Sequence, residues 1–201
     1  MNLIHLASFP RSGNKFAQQI LHHAFGLKCR SIYSVPFYPD EIAPTWDGVE
    51  TGVIIKTHEF WTDGPAIYLV RDPRDVYCSY AKYLSHIQQR VVTPKELIEG
   101  TSWSEHVCSW RHPNVVVIKY EDLLVSPIVT MAAVLAGLAI RVATVGPLPS
   151  WNHLHRDCPW YYQAGEQGRW RTELTEDEIA ICEAKNRRYM EMFGYIDQKT
   201  I

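Results

Sequence analysis

The sequence predicts an α/β fold with a central parallel β-sheet flanked by helices. Short β-branched apolar runs alternate along the chain with segments of helical periodicity, the pattern of strands buried on both faces. The helices between them carry start signals, a capping residue followed by proline. The length of 201 residues fits one domain over 1–201, at roughly 150 residues per domain.

In chain order, Leu3–Ala7 reads as a first strand, Ser8 to Gly13 as a loop and Asn14–Phe25 as a helix. Val53–Lys56, Ala66–Val70 and Val115–Ile118 read as three further strands. Asp72-Pro73 gives an N-cap with proline at the first helical position, and Thr93-Pro94-Lys95-Glu96 has the form of a capping box. Ser102-Trp103-Ser104-Glu105 and Thr175-Glu176-Asp177-Glu178 repeat that form, and Ser126-Pro127 opens an apolar helix. The last helix is expected to end at Phe193, with Gly194 following it. Residues 29–52 and 141–168 lack periodicity and read as site-forming or surface loops.

Composition narrows the function. Apolar residues make up 46% and charged residues 21%, too apolar for disorder. Twenty Lys and Arg against twenty-two Asp and Glu give a net charge of -2, which argues against a nucleic-acid or acidic-membrane binder and makes any anion site a local cluster. Five dispersed cysteines without a Cys-x-x-Cys point to reduced thiols and a cytoplasmic setting. Met1 to Ala7 lacks the basic leader and long apolar run of a signal peptide. The apolar stretch Val129–Ile140 falls short of the ~20 residues a membrane span needs and reads as a buried helix.

Three segments carry chemistry. Ser8-Phe9-Pro10-Arg11-Ser12-Gly13-Asn14-Lys15-Phe16 joins a strand to a helix. A helix start attracts phosphate, Gly13 permits close backbone approach, and Arg11 and Lys15 add positive charge. Phe16 stands where a metal-binding hydroxyl would sit in a Walker A loop, which disfavours a Mg-dependent triphosphatase. An ordinary turn with two exposed cations accounts for the same residues. Lys56-Thr57-His58 ends a strand, where open α/β sheets bind ligands. Lys56 there can stabilise negative charge and His58 can take a proton, although a solvated pair fits as well. Arg71 through Ser79 ends the next strand. Asp72 and Pro73 read as a cap, and Arg71 is a charge placed at a strand terminus.

Taken together, these segments resemble the sulfotransferases that use 3′-phosphoadenosine 5′-phosphosulfate (PAPS). The resemblance also takes in Ser102-Trp103…His106-Val107…Trp110, Tyr120-Glu121-Asp122-Leu123 and Gly165-Glu166-Gln167-Gly168-Arg169-Trp170, in order over most of residues 3–171. It implies a three-layer P-loop-type fold and in-line sulfuryl transfer to an acceptor hydroxyl or amine on a small molecule, glycan or lipid. No metal, nucleic acid or membrane span is implied. By resemblance, His58 is the general base, and Lys56 and Arg11 meet charge on the leaving oxygen. Arg11 and the amides of Ser12, Gly13, Asn14, Lys15 and Phe16 hold the 5′-phosphosulfate, with Phe16 stacking on adenine. Arg71 and Ser79 bind the 3′-phosphate, Tyr120 lies near the adenine, and Gly165 belongs to a segment that closes over the nucleotide.

The chain departs from that pattern in two places. Asn14-Lys15 replaces a Thr-Thr pair, and Gln163-Ala164-Gly165 replaces Arg-Lys-Gly, so that Arg169 or Arg156 is expected to compensate for the missing cations. The alternatives are a Mg-dependent nucleotide kinase or phosphotransferase on a related fold, and a non-catalytic nucleotide-binding relative. Other features read as structure. Trp103, His106, Val107 and Trp110 form a packed helix face. His153 to Cys158 lacks the spacing of a metal site. Glu121 and Asp122 are expected to fix the loop after the last strand, and Ile179, Cys182, Tyr189 and Phe193 to be core. Phe37, Tyr38, Trp46, Phe60, Trp61, Trp160 and Tyr161 are candidates for an acceptor pocket or for shielding.

Overall fold

The computed structural model describes residues 3–27, 29–32, 53–140, 142, 146–150, 152, 156 and 166–198. The chain divides into two compact units, Met1–Val70 with Trp110–Ser150, and Arg71–Ser109 with Trp151–Ile201.

The first unit carries the sheet. Its strands are β1 (Leu3–Ser8), β2 (Cys29–Ser31), β3 (Val53–Thr57), β4 (Ala66–Val70) and β5 (Val115–Lys119). They lie in the order β2-β3-β1-β4-β5, and every adjacent pair is parallel. Alternation along each strand separates the two faces. Leu6 of β1 and Ile67 and Leu69 of β4 join a core with Ile20 and Leu21 of α1 (Asn14–Phe25) and with Met131, Val134 and Leu135 of α6 (Pro127–Gly137). The intervening His5 and Tyr68 meet Trp110 instead, which stacks on Tyr68 at 5.7 Å and takes His5 edge-on at 5.9 Å.

The second unit is helical among the described residues: α2 (Pro73–Gln88), α3 (Pro94–Gly100), α4 (Trp103–Ser109), α7 (Trp170–Glu173) and α8 (Glu176–Met192). Tyr77, Ile98, Trp103, Cys182 and Met190 are buried. Buried Asn186 receives a bond from Ser104 Oγ at 2.9 Å and donates to the Cys182 carbonyl at 2.9 Å. Lys185 Nζ donates to the carbonyls of Ile98 and Thr101, both at 2.6 Å, satisfying the open end of α3.

Asn14–Phe25 and Ala66–Val70 form with the expected bounds, and Gly194 follows the last helix at φ 69°. Several local readings differ. Cys29–Ser31, expected in a loop, is a strand: it borrows its ladder from β3, which a three-residue segment does not advertise. The Val129–Ile140 stretch is buried on one side only, with Val129 72% exposed, because its core contacts run along Met131, Val134, Leu135 and Ile140. Glu121 and Asp122 lie in the first turn of a short helix, α5 (Tyr120–Val125), where carboxylates suit the dipole. Thr93 caps Glu96 N at 3.2 Å, but the Glu96 carboxylate turns to Arg90 at 2.7 Å, so the box is half made. Thr175 and Glu178 complete theirs. Cys182 and Tyr189 are core as expected, whereas Ile179 and Phe193 are half-buried.

Candidate functional site

The loop from β1 into α1 is shaped by two left-handed residues, Arg11 at φ 68° and Gly13 at φ 97°. A side chain on Arg11 makes its conformation costly, and such strain is typical of ligand-binding loops. Gly13 is required for a second reason. A Cβ there would strike the ring of Tyr120, with Cε2 at only 2.7 Å, so Tyr120 is packed directly on the loop. The Ser12 hydroxyl is fully buried and has no hydrogen-bond partner among the described residues. The first-turn amides of α1 have no partners one turn back, by helix geometry. A buried hydroxyl with unmet bonding capacity, beside a helix start and two cations, fits an oxyanion. Phe16 is half-buried and packs partly against the core.

Asn14 is buried and works through its side chain. Nδ2 donates to Leu6 O at 3.0 Å, Ser8 Oγ at 3.3 Å and Thr57 O at 3.4 Å, pinning the carboxyl ends of β1 and β3 to α1. Lys56 is buried near the end of β3, in register with Leu6. His58 follows the strand. Its Nδ1 lies 2.8 Å from the carbonyl oxygen of Ser8 and 3.4 Å from Ser8 Oγ. A carbonyl only accepts, so Nδ1 carries a proton; in the neutral ring the lone pair is then on Nε2, the tautomer a general base needs. The next residue, Glu59, is fixed twice: its N–H donates to Thr57 Oγ1 at 3.0 Å, and its carbonyl accepts Trp110 Nε1 at 3.0 Å. Burial pushes the Tyr68 hydroxyl above its ordinary range, against the opposing pull of a hydrogen bond from the Phe9 backbone. Tyr68 and Trp110 thus brace both loops from below. Phe60 is exposed, and Trp61 stacks on His112 at 4.3 Å.

The first unit therefore gathers Arg11 to Phe16, Lys56, His58 and Tyr120. Arg71 and Ser79 belong to the second unit, Arg71 just ahead of α2 and Ser79 buried two turns into it. Arg71 Nη2 donates to Glu166 O at 3.3 Å. Asp72 caps α2 at Arg74 N, 2.9 Å, and also receives the Arg74 guanidinium at 2.7 Å. Arg74 is buried, reaches Glu183 at 2.7 Å and Tyr195 O at 2.8 Å, and lies 3.8 Å over the Trp170 ring. Burial works against its charge, but Asp72 and Glu183 outweigh it and raise its pKa. Asp75, also buried, accepts Gly168 N–H at 2.7 Å and Trp170 N–H at 3.1 Å. Arg169, expected to replace missing cations, is paired with Glu173, which also takes Lys82 at 2.7 Å.

Sequence reasoning missed the structural work of Asn14, Arg74 and Asp75. The signal available was their position: an amide at a helix start, and two charges inside a first helical turn. Gly165, Phe37, Tyr38, Trp46, Trp160, Tyr161 and most of the His153–Cys158 segment lie outside the described residues.

No protein-family model matches the chain. Among solved structures, it is similar to mouse sulfotransferase SULT7A1 complexed with PAP, with a TM-score of 0.71 over 96% of this chain and 89% of that chain at 19% identity. It is also similar to retinol dehydratase, in complex with androsterone and inactive cofactor PAP and in complex with retinol and PAP. Both give a TM-score of 0.59 over 99% of this chain and 82% of that chain at 15% identity. The chain has the α/β fold of these proteins, a parallel five-stranded sheet with flanking helices.

Proposed function

We propose that the protein is a PAPS-dependent sulfotransferase, moving the sulfuryl group to an acceptor hydroxyl or amine. The observation that carries the reading is the bond between His58 Nδ1 and the Ser8 carbonyl at 2.8 Å. It joins the candidate base to the anion-binding loop and, in the neutral ring, puts the lone pair on Nε2. The PAP-bound neighbours of the same fold support the choice of donor.

PAPS supplies an electrophilic sulfur and a phosphate leaving group. Arg11, with the amides of Ser12 to Phe16, holds the 5′ end, and the Ser12 hydroxyl donates into it. Arg71 and Ser79 take the 3′-phosphate, Tyr120 and Phe16 border the adenine, and Gly165 belongs to the closing segment. His58 Nε2 accepts the acceptor's proton as the new bond to sulfur forms. Lys56 and Arg11 meet the charge left on the bridging oxygen as the bond from sulfur to the phosphate oxygen breaks. The leaving nucleotide, PAP, keeps that electron pair.

The acceptor is a small molecule, glycan or lipid, and the setting is cytoplasmic. No helix among the described residues is long and apolar enough to cross a membrane. A thermal-shift panel of PAP, PAPS, AMP and ATP with Mg²⁺ tests the donor assignment. PAP and PAPS are expected to stabilise most. Greatest stabilisation by ATP with Mg²⁺ would move the assignment to a phosphotransferase.

A further inference from the structure

In the second unit the turn after β4 and the segment 166–170 are tied at three points. The two oxygens of the Asp75 carboxylate are divided between two main-chain amides, Gly168 N–H at 2.7 Å and Trp170 N–H at 3.1 Å. Glu166 O accepts Arg71 Nη2 at 3.3 Å. Asp75 is buried, and it sits in the first turn of α2, where the helix dipole favours a negative charge. A carboxylate accepting two amides in a buried setting holds them more strongly than a neutral acceptor would. Gly168 has φ 77°, a backbone conformation that a side chain makes costly, so a substitution there strains the segment. The Arg74 guanidinium over Trp170 at 3.8 Å closes the arrangement from the neighbouring position in the chain.

We propose that Asp75 is a positioning residue for the 3′-phosphate: its carboxylate fixes segment 166–170, and the Glu166 carbonyl so placed orients the Arg71 guanidinium. The proposal rests on Arg71 as the 3′-phosphate ligand. It explains how this chain keeps the segment in place with Gln163-Ala164 where two cations stand in the pattern it resembles. The attachment comes from a buried anion gripping main-chain amides.

The test compares PAP with AMP, which lacks the 3′-phosphate, by calorimetric titration of the full chain. Asp75→Asn keeps the shape but sets an NH₂ against an amide N–H. It is expected to weaken PAP about tenfold, the scale of one charge-assisted hydrogen bond. AMP is expected to change less than about twofold by the same reasoning, since nothing it touches is reoriented. In an Arg71→Ala background, Asp75→Asn is expected to add no further loss. Gly168→Ala displaces the segment without touching Asp75, and is expected to narrow the PAP-to-AMP ratio too if Asp75→Asn does not fold. Equal weakening of both nucleotides, or unchanged PAP affinity in a folded variant, overturns the proposal. If Arg71→Ala alone leaves the PAP-to-AMP ratio unchanged, the Arg71 reading falls and takes this proposal with it. If Arg71→Ala narrows the ratio and Asp75→Asn does not, only the Asp75 proposal falls.

Discussion

At the end of β1, the Ser8 carbonyl accepts from His58, and Asn14 divides its amide among Leu6 O, Ser8 Oγ and Thr57 O. After β4, Arg74 is clasped by Asp72 and Glu183, and Asp75 grips Gly168 and Trp170. The bonds just named come from neutral groups in the first region and from full charges in the second. The Ser8 carbonyl, a neutral acceptor, sets which ring nitrogen of His58 carries a proton. Arg74 needs no titratable state, so full charges can serve as its anchors, and the pair is retained because neither charge is left alone in the interior.

The largest effect is expected in the neutral region. His58→Ala should lower turnover by about 10²–10⁴, the usual worth of a general base, with PAP affinity nearly intact. Steady-state kinetics with separate PAP titration checks both parts, and unchanged turnover would remove His58 from the chemistry.

Arg74→Ala tests the charged region. It strands Asp72 and Glu183 without their shared cation and should cost about 3–5 kcal/mol in urea unfolding, the penalty for breaking a buried pair. A loss below about 1 kcal/mol would put the network in the class of surface pairs.

Asn14→Ala is expected to cost about 1–3 kcal/mol, because three oxygens lose a donor. Its pH–rate profile should also change as Ser8 loosens its hold on His58, whereas Arg74→Ala should leave the shape of that profile alone. Identical profiles for Asn14→Ala and the parent would reduce Asn14 to a structural role.

The smallest effect lies at Glu173. Burial opposes its ionisation, but Lys82 and Arg169 outweigh it and hold its carboxyl below the ordinary 4.5. A depressed acid stabilises the fold above its unfolded pKa, and the contribution fades as pH falls through the folded one. Glu173→Gln should therefore destabilise slightly at neutral pH and flatten the acid limb below about pH 4.5. Thermal melts across pH check this, and a parallel downward shift at every pH would contradict it.

These contrasts also mark what the sequence could reveal. Periodicity gave α1 and β4 their bounds, because the signal is local: α1 buries one face and β4 is buried along its length. β2 escaped because its three residues owe their conformation to β3. Arg11, Gly13 and His58 were legible from their places at strand ends. The Tyr120 ring on Gly13 was not readable, since the family likeness placed Tyr120 only near the adenine. Apart from Asp72, the partners of Arg74 and Asp75 lie about ninety or more residues away along the chain, and no pattern in a single sequence announces such a pairing. The second role of Asn14 was hidden for a related reason, since an amide at a helix start reads as a ligand contact or a cap, and here it points back to the strand ends.

Mass spectrometry of an acceptor library incubated with the protein and PAPS tests the central claim most directly. The account predicts a sulfated product together with PAP, formed by the parent chain and reduced by about 10²–10⁴ in His58→Ala. No sulfated product from a library spanning hydroxyls and amines, in a parent chain shown to bind PAP, would contradict it and leave a nucleotide-binding protein without transferase chemistry.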